Sequence, residues 1–421
     1  MKELRQFHPT IKIRLAESFI SSTVGSMVYP FMAIYLSHYF GLKTTGLLLL
    51  VNVFIGIFFN FIGGYISDQF GRKKTIVLAE SLRFLAFTVM MLSNSPWFFS
   101  PVLTFCMMSL NSICWGLAGP ANQAMLIDVS RTEERKLMYT ILYWTSNLSV
   151  AIGGIAGGLL FEHYLFELFA AMSAAAFCAW VLIVFFISES HTPKESAAKS
   201  AAQHAAGLLK SYGTVLKDRV FVLFVVSGVL VLSMEFQLTN YISIRLSNDL
   251  PMQHVFGWAF GGTEMVGFLR TENTILVVIL ALFAVRLASK MKESTVLIAG
   301  CIVFTAGYGV ISYSLNIWVL FAAMAFATVA EVMKTPIQQH YTASLPPEDA
   351  RSSYMAVSGL NFNLGMLICS ITVTLSGFFS SFVSSLFITA IGASGIFIYM
   401  VILPGLKERT DVQEDRLVKA E

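Results

Sequence analysis

Charge is what this sequence has least of. Asp, Glu, Lys and Arg make up 13% of its 421 residues, about half the ~25% of an ordinary soluble domain, which excludes a chain folded in contact with water over most of its surface. Cysteine is also scarce. The five present (Cys106, Cys114, Cys178, Cys301 and Cys369) all lie inside apolar stretches, so they read as small hydrophobic side chains rather than disulfides or metal ligands. No G-x-x-x-x-G-K-[ST] loop occurs, which argues against ATP as the direct energy source. HExxH, GxSxG and Cys-rich metal spacings are missing as well. No enzymatic activity, cofactor, metal or nucleic-acid partner is therefore expected.

What the sequence does hold is apolar surface. Hydrophobic residues make up 56% of the chain, and the mean hydropathy is +0.70. A hydrocarbon core of ~30 Å takes about 20 apolar residues per helix, so a chain of this length fits a dozen spans joined by short loops. Apolar runs between polar breaks predict helices near 13–39, 45–67, 75–94, 101–127, 138–160 and 166–188, then near 218–246, 271–289, 294–314, 317–340, 353–375 and 381–404. The first run is too long for a signal-peptide core and is expected to stay as a helix. The expected fold is an all-α membrane protein of twelve transmembrane helices in two six-helix parallel repeats. Residues 1–188 form the first bundle, 189–217 a polar linker, 218–405 the second bundle and 406–421 a tail.

Orientation follows from the basic residues. With both termini inside, 23 of the 28 Lys and Arg face the cytoplasm, Lys43, Arg245 and Arg270 face out, and Arg83 and Lys334 fall within spans. Such asymmetry sets topology. Both termini and the linker are expected in the cytoplasm, and the compact loops fit a prokaryotic cytoplasmic membrane protein acting as a monomer.

The two halves also repeat one another. Adding 216 maps Pro120 to Pro336, Gln123 to Gln339, Arg135 to Arg351, Asn147 to Asn363 and Ile152 to Ile368, while an offset of 210 aligns AIYLS at 33–37 with SIRLS at 243–247. Parallel repeats imply a pseudo-two-fold axis along the membrane normal and a binding cavity between the halves.

After the second span the chain reads Gly64-Tyr-Ile-Ser-Asp68-Gln-Phe-Gly71-Arg72-Lys73-Lys74. Gly71 permits a tight turn, Asp68 can accept hydrogen bonds at a helix end, and the basic run keeps the loop inside. The pattern is similar to the G-x-L-x-D-x-x-G-R-K signature of the major facilitator superfamily, with Ile66 in place of Leu. That resemblance implies a cytoplasmic latch formed by Gly64, Asp68, Gly71, Arg72 and Lys73. Gly153-Gly154-Ile-Ala-Gly157-Gly158 resembles the G-P-x-x-G-G of the superfamily's twelve-helix proton-driven exporters, with Gly154 where they carry proline. Small residues there let helices approach closely. Those exporters carry an Arg ahead of Gly-Pro in the fourth helix, where this chain has Asn111 ahead of Gly119-Pro120, and Arg83 is the basic group that substitutes. Ala330-Glu331-Val-Met-Lys334-Thr-Pro336 also resembles one exporter branch.

Ionisable side chains at mid-bilayer cost about 2.5–3.5 kcal/mol on insertion scales and should face a cavity or a partner. Glu235 has no basic residue within a helical turn in the sequence, while Glu331 and Lys334, like Glu80 and Arg83, stand three apart and near enough to pair. Glu235 and Glu331 are the expected proton-coupling residues. Glu17 and Glu80 are expected to snorkel to the cytoplasmic interface. Tyr29, Arg83, Asn111, Trp115, Tyr143, Phe236, Tyr241 and Lys334 are the candidates for lining a cavity, where aromatic rings suit apolar or cationic cargo. The combined expectation is proton-coupled efflux of amphipathic organic molecules or drugs. Its alternatives are uptake or exchange of a nutrient on the same fold and, more remotely, a membrane enzyme or receptor.

Overall fold

A computed structural model describes residues 7–189, 213, 215–255, 257–288, 291–347 and 351–418, without side chains at 68, 132, 133, 136, 281–288, 351, 352, 356 and 410–418. Most of the expected linker lies outside the described residues.

The described chain is almost wholly helical. The helices are α1 Pro9–Val28, α2 Met32–Phe70, α3 Arg72–Leu92, α4 Pro101–Val129, α5 Thr132–Leu160, α6 Leu165–Phe186, α7 Arg219–Phe236, α8 Tyr241–Asp249, α9 Gly262–Ala288, α10 Glu293–Tyr313, α11 Ile317–Ser344, α12 Arg351–Ser358, α13 Asn361–Ser376 and α14 Ser381–Val418. Two short hairpins, β1 (Asn94–Ser95) with β2 (Phe98–Phe99) and β3 (Gln253–Val255) with β4 (Trp258–Phe260), make the remaining ladders.

Among the described residues, every segment expected to span falls on helix, though the helices do not match the twelve expected spans one for one. Eight helical stretches among the described residues are long and apolar enough to cross a membrane, and the first, Pro9–Ser67, runs through two expected spans. A 3-10 turn at Tyr29–Phe31 and a break at Gly41, whose φ of 73° suits only glycine, divide that stretch. Glu264, Arg270 and Glu272 lower the hydropathy of α9, and α13 is cut short by the turn at Gly359 and Leu360. At the other end, α14 runs on through Pro404 to Val418, past the span end expected near 404 and into the expected tail.

By contacts the chain divides into two compact units. The first holds residues 1–41, 48–201 and 252–271, and the second holds 42–47, 202–251 and 272–421. In the first unit α1 packs on α5 and α6, and α3 packs on α4 and α6. Its core is built of small and aliphatic side chains, with Ile76, Ala121, Met125 and Ile183 in one cluster and Ala79, Cys114, Leu117 and Ala118 in another. The second unit packs α10 on α11 and α14, and α7 on α13 and α14. Aromatic rings fill it: Phe221 meets Tyr354 at 4.5 Å, and Phe224 meets Tyr399 at 5.8 Å between ring centres. The sequence repeat has a structural counterpart, since Pro120 and Pro336 each lie nineteen residues after the first residue of their helices, α4 and α11.

Candidate functional site

The turn between α2 and α3 takes the shape its glycine dictates. Gly71 has φ 97°, ending α2 and opening α3. Glu189 then caps α3, its carboxylate accepting from the Arg72 amide at 3.0 Å and the Lys73 amide at 3.0 Å, a favourable place for negative charge. Lys73 Nζ donates to the Val184 carbonyl at 2.9 Å, and the Arg72 guanidinium pairs with Asp128 at the end of α4. The Asp68 side chain lies outside the described residues.

About two and three turns further along α3 stand Glu80 and Arg83. The expectation that Glu80 and Glu17 snorkel to the interface is overturned by their burial: Glu80 is 1% exposed and Glu17 4%. Each has an arginine on its own helix to neutralise it. Arg83 Nη1 reaches Glu80 Oε1 at 2.6 Å, and Arg14 Nη1 reaches Glu17 Oε2 at 2.9 Å. The two pairs lie close enough that Arg14 and Glu17 act electrostatically on Glu80, and Glu17 on Arg83. Arg83 also sits over the Trp115 ring at 5.4 Å, and Tyr29 and Cys114 lie within its field. Glu80 Oε2, the Tyr29 hydroxyl and Asn111 Oδ1 are buried with no hydrogen-bond partner. The structure thus gathers Tyr29, Arg83 and Trp115 and adds Arg14, Glu17 and Glu80 to them.

In the second unit the expected Glu331–Lys334 pair does not form. Glu331 Oε2 instead accepts from Asn273 Nδ2 of α9 at 2.9 Å, and the same amide reaches Thr328 Oγ1 at 3.1 Å. Lys334, 3% exposed, turns to Gln338 Oε1 at 3.4 Å and lies 4.3 Å above the Phe304 ring. Gln338 in turn donates to the Tyr399 hydroxyl at 2.9 Å. Three residues apart on a helix is a short distance between backbones, but both side chains find neutral partners on other turns and helices. Glu235 sits half-buried in the last turn of α7.

Other expected cavity residues disperse. Tyr241 is buried in α8, with its hydroxyl donating to the Ser381 carbonyl, and Phe236 packs edge-on to Phe362. Tyr143 stands exposed on α5. Arg245, expected on the outer side, is buried in α8, donating to the Ser312 carbonyl at 3.1 Å. The sequence reading passed over Glu272 of α9, whose Oε2 is buried without a hydrogen-bond partner. Its place at the second residue of the expected span, next to Asn273, was the available signal.

The glycine motif of α5 works on two faces. A Cβ on Gly157 would meet the Met27 carbonyl and, at 2.6 Å, the Phe31 ring, and one on Gly153 would strike Ser26. On the other face, Gly154 and Gly158 lie against α9, where a Cβ on Gly158 would stand 3.2 Å from the Gly267 Cα. Backbone meets backbone on both sides.

At the start of α7, Asp218 gathers three donors: Arg409 Nη1 at 2.6 Å, the Tyr354 hydroxyl at 3.0 Å and the Phe221 amide at 3.2 Å. Partial burial pushes its carboxyl up, but these hydrogen bonds and the Arg409 charge outweigh that and hold it below the ordinary carboxylate range.

The chain matches the family model of the Major Facilitator Superfamily over residues 18–370. It is 32% identical over 388 residues to the Na(+), Li(+), K(+)/H(+) antiporter of Planococcus maritimus, covering 90% of this chain and 92% of that one. It is 27% identical over 326 residues to the multidrug resistance protein MdtH of Yersinia pestis, covering 76% and 73%. Among solved structures, a POT family transporter in complex with 5-aminolevulinic acid matches with a TM-score of 0.73 at 14% identity, covering 95% of this chain and 96% of that one.

Proposed function

The chain belongs to the Major Facilitator Superfamily and is a multi-pass membrane transporter rather than an enzyme, and from that premise we propose that it is a proton antiporter that expels cations. Its cargo is positively charged, either a monovalent metal ion or an amphipathic organic cation, moved by alternating access. It works as a monomer in the cytoplasmic membrane with both termini inside, the orientation favoured by the basic residues. The ancestry shared with a cation/proton antiporter over nearly the whole chain supports the exchange chemistry, and the more distant likeness to a multidrug resistance protein supports organic cargo.

The observation that carries the reading is the way Glu331 is held. Its hydrogen-bond partner is the neutral Asn273 amide, while Lys334 acts on it only through its field, so gaining a proton breaks no direct ion pair. An amide also has both a donor and an acceptor end. Asn273 donates to the carboxylate and, after turning over, accepts from the carboxylic acid. Glu331 therefore takes the transported proton, with Glu235 as the second carboxylate of the unit assigned to coupling. Exchange of a monovalent cation for one proton moves no net charge, so the pH gradient supplies the work, about 1.4 kcal/mol and a tenfold cargo gradient per pH unit.

The test is purified protein in liposomes that enclose a pH dye, with gradients of Na+, K+ or ethidium imposed. Each transported cation should drive protons the opposite way, and Glu331→Gln should sharply reduce that flux while sparing cargo exchange at equilibrium. Failure of all three cations to move protons through the wild type would overturn antiport. Full coupling in Glu331→Gln would transfer the role to Glu235, to be checked as Glu235→Gln.

A further inference from the structure

We propose that Glu80 is a second exchange site, where a proton and a monovalent cation compete for one carboxylate oxygen. The inference rests on the antiport reading and adds to it a site in the first unit. It begins with charge. Arg14, Glu17, Glu80 and Arg83 are each at least nine-tenths buried and sum to zero, an arrangement that stabilises the empty cluster in a membrane. Both arginines keep a buried Nε without a hydrogen-bond partner, and of the two carboxylates only Glu80 is half used. Its Oε1 takes Arg83 Nη1 at 2.6 Å, while Oε2 is buried and accepts from nothing. An unsatisfied carboxylate oxygen at 1% exposure is costly, and it is relieved by a single positive charge.

A proton on Oε2 and a monovalent cation against it change the cluster by the same amount, from zero to +1. The two cannot share the site, because a second positive charge would join Arg83 and Arg14 in a low-dielectric interior. A further unpartnered oxygen in the field of Arg83, the Tyr29 hydroxyl, has the hard character that a small cation prefers, and Asn111 Oδ1, also buried without a partner, lies one helical turn from Cys114 on α4. The groups acting on Glu80 from its surroundings are Arg83 on its own helix and Arg14 and Glu17 on α1. Glu80 in turn acts on Tyr29 beside α1 and Cys114 on α4. Mutual exclusion at one oxygen gives one-for-one exchange without moving part for coupling beyond the alternation of access.

The experiment reads proton release directly. Detergent-purified protein in weakly buffered solution with a pH dye receives Na+, K+ or ethidium, and wild type and Glu331→Gln should both release protons on cation binding. Glu80→Gln and the doubly neutral Glu80→Gln/Arg83→Gln should lose the part of that release that Glu331→Gln retains. The double variant leaves no stranded arginine partner and keeps the measurement open if the single one fails to fold. Glu80→Asp keeps the charge and should retain release with a displaced pH midpoint. Release in a folded double variant equal to wild type, or an unmoved midpoint in Glu80→Asp, would overturn the site while leaving antiport standing. Absence of release from wild type for every cation overturns antiport and this site together.

Discussion

The two units handle the same difficulty, charge inside a membrane, by opposite means. The first cancels each buried carboxylate with an arginine three residues away on the same helix, as Arg14 does for Glu17 and Arg83 for Glu80. The second sets Glu331 and Lys334 at that same spacing and leaves them apart, each held by a side-chain amide, Asn273 and Gln338. Spacing alone therefore does not make an ion pair; the neighbours on other helices decide it. A charge held by an ion is fixed by its partner, and removing either one strands the other. A charge held by an amide changes protonation state without that penalty. One unit thus holds its buried carboxylates in same-helix ion pairs, and the other holds Glu331 and Lys334 by separate side-chain amides.

The largest effect expected from this contrast is on stability. Arg83→Gln strands Glu80 at 1% exposure and should cost about 3–5 kcal/mol, the range for breaking a buried ion pair. Lys334→Met leaves Glu331 with its Asn273 hydrogen bond and should cost within about 1 kcal/mol, a cation–π contact and one hydrogen bond being lost against the relief of a buried charge. Thermal unfolding of both purified variants in the same detergent measures the difference. Equal losses would erase the distinction between the units.

Packing gives the next effect. Gly157→Leu in the first unit drives a side chain into the Met27 backbone, which cannot swing aside, and should cost about 1–3 kcal/mol and slow transport. Gly365→Ala in the second unit meets only the Phe236 ring at 2.9 Å. A ring can rotate away, so a loss below about 1 kcal/mol is expected there. Unfolding temperatures and transport rates of the two variants, taken side by side, check whether the glycine face of α5 is fastened to its neighbours or turned to lipid.

The smallest effect is a pH dependence confined to the second unit. Asp218 titrates below its unfolded value because Arg409, Tyr354 and the Phe221 amide hold its charged form. A depressed carboxyl contributes stability that is complete above the unfolded carboxylate range and is lost as pH falls through the lower, folded value. Asp218→Asn should therefore lower the unfolding temperature at neutral pH and converge with wild type in acid. A constant gap between the two from neutral to acid pH would remove Asp218 from the account.

Much of the fold was legible because membrane insertion writes itself into composition. Apolar runs located every helix, the Gly71 turn formed where the motif placed it, and the glycines of α5 meet backbone on two sides. What escaped the sequence depends on tertiary neighbours. Glu17 and Glu80 were assigned to the interface from their depth along a helix, but burial follows from what α1, α3 and α4 place around them. Asn273 as the holder of Glu331 required knowing that α9 lies beside α11. The same gap hid the burial of Arg245 and the continuation of α14 beyond Pro404, where the missing amide hydrogen bond did not end the helix.

The cap on α3 has a consequence for how the chain is made. Glu189 reaches back 117 residues to the Arg72 amide, so the first turn of α3 leaves the ribosome with that amide lacking its final partner. At ordinary synthesis rates the wait is on the order of ten seconds. Only when α6 has been threaded through and its end delivered does the carboxylate arrive. The basic turn that carries the family signature is therefore finished last, after the bundle behind it, and its capping marks the moment at which the first six helices have been assembled.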